Sequence, residues 1–324
     1  DYDPISYSIK YQTALDKVSK GLSVNLECRN LDGLDLQNFG LVQKSRDGAN
    51  SIYVNFKAMY REDKSDNSYL LHSGQKFWAT GKRNNTLTIG LKHNYIYKSG
   101  EGNIDLSLRS SSLGSDYDYA QISLEVINSS SLKDFVLKTR FFAQHSTGTS
   151  VAPESRLFAA GANPESLMEN PYTRSTGFIS RDLVNFSEEL NHFHMGGGLN
   201  LRAYAGYYMP EGDWYKQTFT YSGTSGLSFS GELEFQNYLS FTRRLNMEMY
   251  LFADAGIINS NTLKGDLSWA SFRMDAGLGA TFTLFRAIDA VKPLKLRIDL
   301  PWFMSRPPSG DDFLDFNRFL IGIN

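Results

Sequence analysis

Long runs in which apolar and polar residues strictly alternate are the feature that most constrains this chain. Leu227, Phe229, Gly231, Leu233 and Phe235 alternate with Ser228, Ser230, Glu232, Glu234 and Gln236. Phe272, Met274, Ala276, Leu278, Ala280 and Phe282 alternate with Arg273, Asp275, Gly277, Gly279 and Thr281. The same rhythm runs through Ile5–Leu15, Leu22–Cys28, Ile52–Tyr60, Leu87–Leu91, Ile104–Leu108, Ile122–Val126, Phe135–Phe141, Leu245–Leu251 and Leu294–Leu300. A period of two puts each set on one face of a β-strand. We read roughly 13 or 14 strands in this way, with no amphipathic helix between them.

A soluble sandwich shows the same alternation with its polar face in water, so strand length decides between the two. Many runs reach 10 residues or more, against about 5–6 in soluble sheets and roughly 9–11 for a tilted membrane strand. In hydrocarbon every unpaired backbone group costs several kcal/mol, so such a sheet has to close on itself. Aromatic residues make up 14% of the chain and gather near segment ends, where an interfacial girdle sits. The expected fold is all-β, a transmembrane antiparallel β-barrel of about 14–16 strands occupying residues 1–324. Outer-membrane lipid is then the expected surrounding.

Composition excludes other classes. A single Cys leaves no disulfide scaffold or multi-Cys metal centre. With 33 basic and 35 acidic residues, bulk attraction to nucleic acid is not expected. No apolar run is long enough for a spanning helix, and the chain does not open on a signal peptide, so a mature or trimmed protein is the simplest reading. Short connections fall at Asp16-Lys17, Ser99–Gly102 and Thr242–Arg244; long ones fall near Asp32–Asn50, Thr147–Met195, Met209–Gly226 and Ser305–Asp315. Tyr69–Thr80 carries the weakest strand pattern. Thr147–Met195 is longer than a compact domain tolerates without local structure or function, so function is sought there first.

The most specific local signal is MGGGLNLRAYAGYY, Met195–Tyr208. Its triplet Gly196-Gly197-Gly198 lets backbone run close to backbone, and it leads to Arg202, Tyr204 and Gly206. Further on, strand parity places Asp254 on the inward face of LFADAG, which ends at Gly256; AVKPLKLRIDLPW and a terminal strand, Phe316–Asn324, follow. This ordered set resembles the superfamily of outer-membrane assembly proteins and two-partner-secretion transporters. The resemblance implies a 16-stranded barrel with a long loop folded into the lumen. The Arg of its Arg-Gly-aromatic tip meets the Asp of a Phe-x-Asp-x-Gly strand. Here Arg202-Ala203-Tyr204 matches the tip and Phe252–Gly256 the strand motif. Ala203 stands where the family has Gly, which is expected to reshape the tip.

A closer resemblance covers about Lys133–Asn324. ESRLFAAGANPESLMENPYTRSTGF (Glu154–Phe178), with Asn163, Pro164 and Arg174, followed by the glycine-rich motif, looks like the C-terminal barrel of membrane-anchored zinc aminopeptidase-like proteins from Bacteroidetes. It implies that the chain is the C-terminal part of a longer protein. The barrel then anchors or exports an N-terminal peptidase-like domain. The alternatives are an insertion or secretion factor, and a plugged pore or structural subunit among other outer-membrane proteins.

Catalytic constellations are sparse. None of the five histidines is followed by Glu, so the His-Glu-x-x-His of such a peptidase is not in this sequence. There is no Gly-x-Ser-x-Gly elbow and no phosphate-cradling loop. His192 and His194 face one way in an extended segment near Glu188 and Glu189, which makes a metal site conceivable and a polar loop the commoner reading. Glu232 with Glu234, and Asp275 near Arg273, read as a polar wall before they read as acid–base pairs. No cofactor, metal or catalytic residue is expected here. What remains is the pair Arg202–Asp254, a candidate latch holding the loop, or a permanent brace.

Overall fold

The computed structural model describes residues 7–31, 34–62, 80–111, 114–169, 174–178, 193–194, 197–204, 210–211, 218–219, 222–242, 245–259, 272–284, 294–307 and 312–323. Tyr69–Thr80 lies almost wholly outside them. Eight strands come first: β1 (Tyr7–Ala14), β2 (Leu22–Leu31), β3 (Leu34–Lys44), β4 (Asn50–Arg61), β5 (Arg83–Tyr97), β6 (Gly100–Ser111), β7 (Asp118–Leu132) and β8 (Phe135–Ser150). The stretch that follows holds short pieces: β9 (Leu157–Phe158), α1 (Pro164–Glu169), β10 (Arg174–Phe178), β11 (Phe193–His194), β12 (Pro210–Glu211), β13 (Thr218–Phe219) and β14 (Ser222–Gly223). Five more strands close the chain: β15 (Gly226–Thr242), β16 (Leu245–Ile258), β17 (Phe272–Leu284), β18 (Leu294–Met304) and β19 (Phe319–Ile323).

A 15-stranded sheet runs in the order β1 to β8, then β15 to β19, then β10 and β11. Among the described residues between β8 and β15, two short strands, β10 and β11, join this sheet. The chain divides into two compact units: Asp1–Tyr97 with Glu101–Val126 and Gln144–Arg156, and Lys98–Gly100 with Ile127–Ala143 and Leu157–Asn324.

In the second unit, burial runs opposite to that of a soluble sheet. On β15 and β16 the large apolar side chains Phe229 and Leu251 are 52% and 48% exposed, whereas Ser228 and Asp254 are each 1% exposed. Apolar-out and polar-in is the pattern of a strand whose outer face meets hydrocarbon. In the first unit Ile9 pairs with Cys28 and Tyr11 with Leu26 on one exposed face, while on the other face Lys10 and Glu27 sit opposite each other with a 3.2 Å ion pair, the Glu27 side chain buried and the Lys10 side chain half exposed.

One expected connection is a strand. Within the supposed loop Asp32–Asn50, Leu34–Lys44 forms β3, in continuous register with β2 and β4. Its rhythm changes hands midway. Leu34 and Leu36 share the inward face with Arg29 and Met59 and are 2% and 1% exposed, whereas Phe39 further along is 43% exposed on the other face. Alternation that swaps faces within one strand leaves no consistent apolar row to read.

One arrangement occurs twice, once in each unit. Tyr53 on β4 lies over Gly90 of β5, and its hydroxyl donates to Asp105 on β6 at 2.9 Å. Tyr250 on β16 lies over Gly279 of β17, and its hydroxyl donates to Asp299 on β18, itself opposite Gly279. A Cβ on either glycine would stand 2.1–2.2 Å from the ring, so Gly makes the crossing possible. Tyr250→Phe strands part of a buried carboxylate and is expected to cost about 1–3 kcal/mol. Chemical unfolding followed by tryptophan fluorescence measures it, and a loss within error of zero would mean the bond contributes nothing.

Candidate functional site

In the first unit the start of the long connection is gripped by the inner wall. Asn84 Nδ2 on β5 donates to Glu154 Oε1 at 2.7 Å and to Ser155 Oγ at 3.0 Å. Tyr119 Oη donates to Asn84 Oδ1 at 3.0 Å, and Gln121 Nε2 to the Ser155 carbonyl at 3.3 Å. Pro at the first position of the Pro153–Ser155 3-10 turn sets the bend.

In the second unit the connection forms an interior layer. Leu157, Ala159, Leu199, Leu201, Ala203 and Tyr204 cluster with the wall residues Phe142, Ile258, Met304 and Leu320. β9 pairs with β14, and Asn259 fixes the join: its Oδ1 accepts from the Thr224 and Ser225 N–H groups, each at 2.9 Å. Arg140 of β8 donates to the Gly198 carbonyl at 2.9 Å. Gly197 and Gly198 have φ of 69° and 45°, and a Cβ on Gly198 would stand 2.2 Å from the Gly161 carbonyl oxygen. Gly197-Gly198 is therefore a backbone-on-backbone crossing. Gly196 lies outside the described residues. Asn163 Oδ1 accepts from the Ser166 N–H at 2.8 Å, capping α1, whose first residue is Pro164. Arg174 opens β10 opposite His194; His192 lies outside the described residues.

Arg202 is the centre of the arrangement. Its side chain is 2% exposed, and Nε lies 2.9 Å from Asp254 Oδ2. Nη2 donates to Asp254 Oδ1 at 3.1 Å and stands 3.0 Å from Glu232 Oε1. The guanidinium carbon lies 4.1 Å from the centroid of the Phe252 ring. Three strands supply these groups: Glu232 from β15, Phe252 and Asp254 from β16, and Asp299 from β18, 4.0 Å from Nη1. Burial opposes the charge on Arg202, but Asp254, Glu232 and Asp299 outweigh it and raise its pKa above the ordinary arginine value. The side chain is therefore a permanent cation.

The resemblance singled out Arg202 and Asp254, and the two meet; parity had placed Asp254 inward. Both missed the frame around them. Arg297 on β18 pairs with Glu232, and its Nε donates to Asp299 Oδ2 at 3.1 Å, so both carboxylates are held independently of the loop. Glu234, beside Glu232 in sequence, pairs instead with Lys138. Asp275 lies opposite Asp254 across β16 and β17, and its Oδ2 accepts the Ala203 N–H at 3.3 Å. The Ala at this position does not need positive φ: among the described non-glycine residues only Lys133 and Asn200 have it. The left-handed turn of the tip thus falls at Asn200 (φ 55°), a residue type that tolerates it. Tyr204 packs with Arg273 over its ring at 5.9 Å, and its hydroxyl meets Ser305 Oγ at 3.2 Å. Burial pushes its phenol up to about 12. Gly256 gives Leu201 room, since a Cβ there would lie 3.3 Å from Leu201 Cδ2. Gly206 lies outside the described residues. Among the described residues no cluster of His, Cys, Asp and Glu fits a metal ion.

In the second unit a sheet with its apolar row outward thus carries a loop packed against its inward face. No protein-family model and no curated protein matches the chain. Among solved structures, it is similar to BamA from Haemophilus ducreyi lacking POTRA domains 1–3, with TM-score 0.53 and 14% identity over 98% of this chain and 62% of that one. It is also similar to CdiB from Escherichia coli, with TM-score 0.50 and 12% identity over 94% of this chain and 49% of that one. The fold is the antiparallel β-barrel of these proteins, and the chain spans less than two thirds of either one's length.

Proposed function

We propose that the chain is a bacterial outer-membrane β-barrel of the kind that inserts or secretes other proteins, with its interior loop latched by Arg202. The observation that carries this reading is the seat of Arg202. A loop tip buried on Asp254 and Glu232 inside an apolar-out, polar-in sheet is what a plugged barrel needs and a simple diffusion pore does not. A guanidinium withdrawn from water needs carboxylate partners in good geometry, and one that leaves them exposes buried charge on both sides. Such a contact has two sharp states, in or out, and release of the loop would let the interior reorganise. Lipid of the outer membrane surrounds the outer row. Catalysis has no place in this reading.

Heat-modifiable migration on detergent gels and fractionation with the outer membrane are expected for the native protein. Depleting it is expected to lower the level of one or more other outer-membrane or secreted proteins. An unchanged outer-membrane and secreted proteome would overturn the insertion or secretion role, and in a lipid bilayer a steady open-channel current would favour a pore.

A second, finer reading is that the barrel anchors or exports an N-terminal peptidase-like domain. It rests on the Glu154–Phe178 resemblance, and its support here is that part of this segment, Leu157–Ala162, is buried interior rather than a surface loop. The gene sequence upstream of Asp1 tests it: a reading frame with no His-Glu-x-x-His domain removes it.

A further inference from the structure

We propose that the turn Asp312–Arg318 is a rigid apolar anchor that seats Leu314 and Phe316 in the lipid interface beside β18. Three of its side chains are more exposed than the outward Phe229 and Leu251 of β15 and β16: Phe313 61%, Leu314 61% and Phe316 69%. This exposure is built, not loose. Arg318 is fully buried beneath the turn, and its guanidinium donates to the carbonyls of Trp302 at 3.2 Å, Phe313 at 3.5 Å and Asp312. The Asp315 N–H donates to the Trp302 carbonyl and the Met304 N–H to the Phe313 carbonyl, both at 3.0 Å. Asp315 Oδ1 accepts from the Asn317 N–H and Nδ2 at 2.9 and 3.0 Å, closing an Asx-type turn. A buried charge that binds main-chain carbonyls fixes the backbone and leaves the apolar side chains outside.

Position identifies the occupant. Leu314 stands opposite Phe303 in an antiparallel bridge, and Phe303 stands opposite Ala276 on β17. Directly paired residues share a face, so Leu314 extends the outer apolar row that runs through Leu278 and Leu300. Phe316 packs against Trp302, with ring centroids 5.3 Å apart. From Leu294 to Phe303 the strand rises roughly 30 Å, or about 23 Å along the membrane normal at a tilt of about 40°. The apolar band of such barrels is about 25 Å tall. Leu314 and Phe316 therefore fall at its rim, the depth of an aromatic girdle, on the side of the long connections. The ligand is the headgroup–acyl boundary of a bilayer, and the inference rests on the reading that the outer row faces lipid.

Cys28 is the chain's only cysteine, so a Cys28→Ser background carries a single label at any chosen site. Spin labels go at Phe316→Cys, at Leu251→Cys on the outer row, and at Lys17→Cys in an exposed turn, in vesicles of phosphatidylcholine and phosphatidylglycerol. The ratio of oxygen to nickel-chelate collision rates is expected to be highest at position 251, lowest at 17, and at 316 several-fold above 17. Leu314→Cys provides a second site should the first variant misfold. A label at 316 as open to the nickel chelate as that at 17 overturns the anchor while leaving the membrane reading intact. Shielding of 316 from both reagents means that protein, a second copy or another partner, covers the turn, and also overturns it. Equal values at 251 and 17 would defeat the membrane reading itself, and the anchor with it.

Discussion

Arg202→Ala is expected to lower stability by about 3–5 kcal/mol, the range for removing one partner of a buried ion pair. The loss is large because Asp254 has no other cation at hydrogen-bonding distance among the described contacts, whereas Glu232 and Asp299 keep Arg297. Unfolding in urea, read by loss of the fast-migrating gel form, measures it. Asp254→Ala is expected to cost a similar amount, and the double variant no more than the worse single one. Strictly additive losses would show that the two side chains do not act as a pair. Arg202→Lys tests geometry at constant charge: an ammonium has no planar fork to span Asp254 and Glu232 together, so most of the loss is expected to persist.

Gly198→Ala is expected to be nearly as damaging, at about 2–5 kcal/mol. Two terms add. A left-handed backbone costs a non-glycine residue roughly 1–2 kcal/mol, and a methyl group forced against packed backbone costs about 1–3 kcal/mol more. The second term follows from the 2.2 Å approach to the Gly161 carbonyl, which belongs to a buried segment with little room to retreat. Gly48 separates the terms. Its φ is 72° and nothing lies within 4 Å of the Cβ it would carry, so Gly48→Ala is expected to show only the backbone cost. Equal losses at both sites would mean that the crossing of the two segments is not a tight one.

The sequence was most readable where one face meets one environment throughout. Along β16 and β17, which pair without a register shift, and through the first half of β15 the alternation is strict, so parity alone placed Asp254 inward and Phe229 and Leu251 outward. β3 escaped because its first half turns apolar residues toward the interior and its second half toward the exterior. At the site, Arg202 and Asp254 stood out through their motifs, but Arg297, Asp299 and Tyr250 did not. Their chemistry is visible in LKLRIDL and MEMYLF; their partnership depends on the register that sets Gly279 opposite both Tyr250 and Asp299. Asn259 was missed for a similar reason, since its two backbone partners come from a segment more than thirty residues earlier. The tip's left-handed residue was sought at Ala203 and lies at Asn200, because the crossing at Gly197-Gly198 turns the chain before the arginine is reached.

The two tyrosines laid across glycine bear on how such a wall is assembled. Each hydrogen bond spans three strands, so it forms only when the third has arrived in the correct alignment. A slip by two residues preserves every alternation between neighbours, yet it carries the ring off its glycine and the hydroxyl away from its carboxylate. These crossings therefore act as proofreading points, discriminating against misaligned pairings that the apolar rows alone would accept.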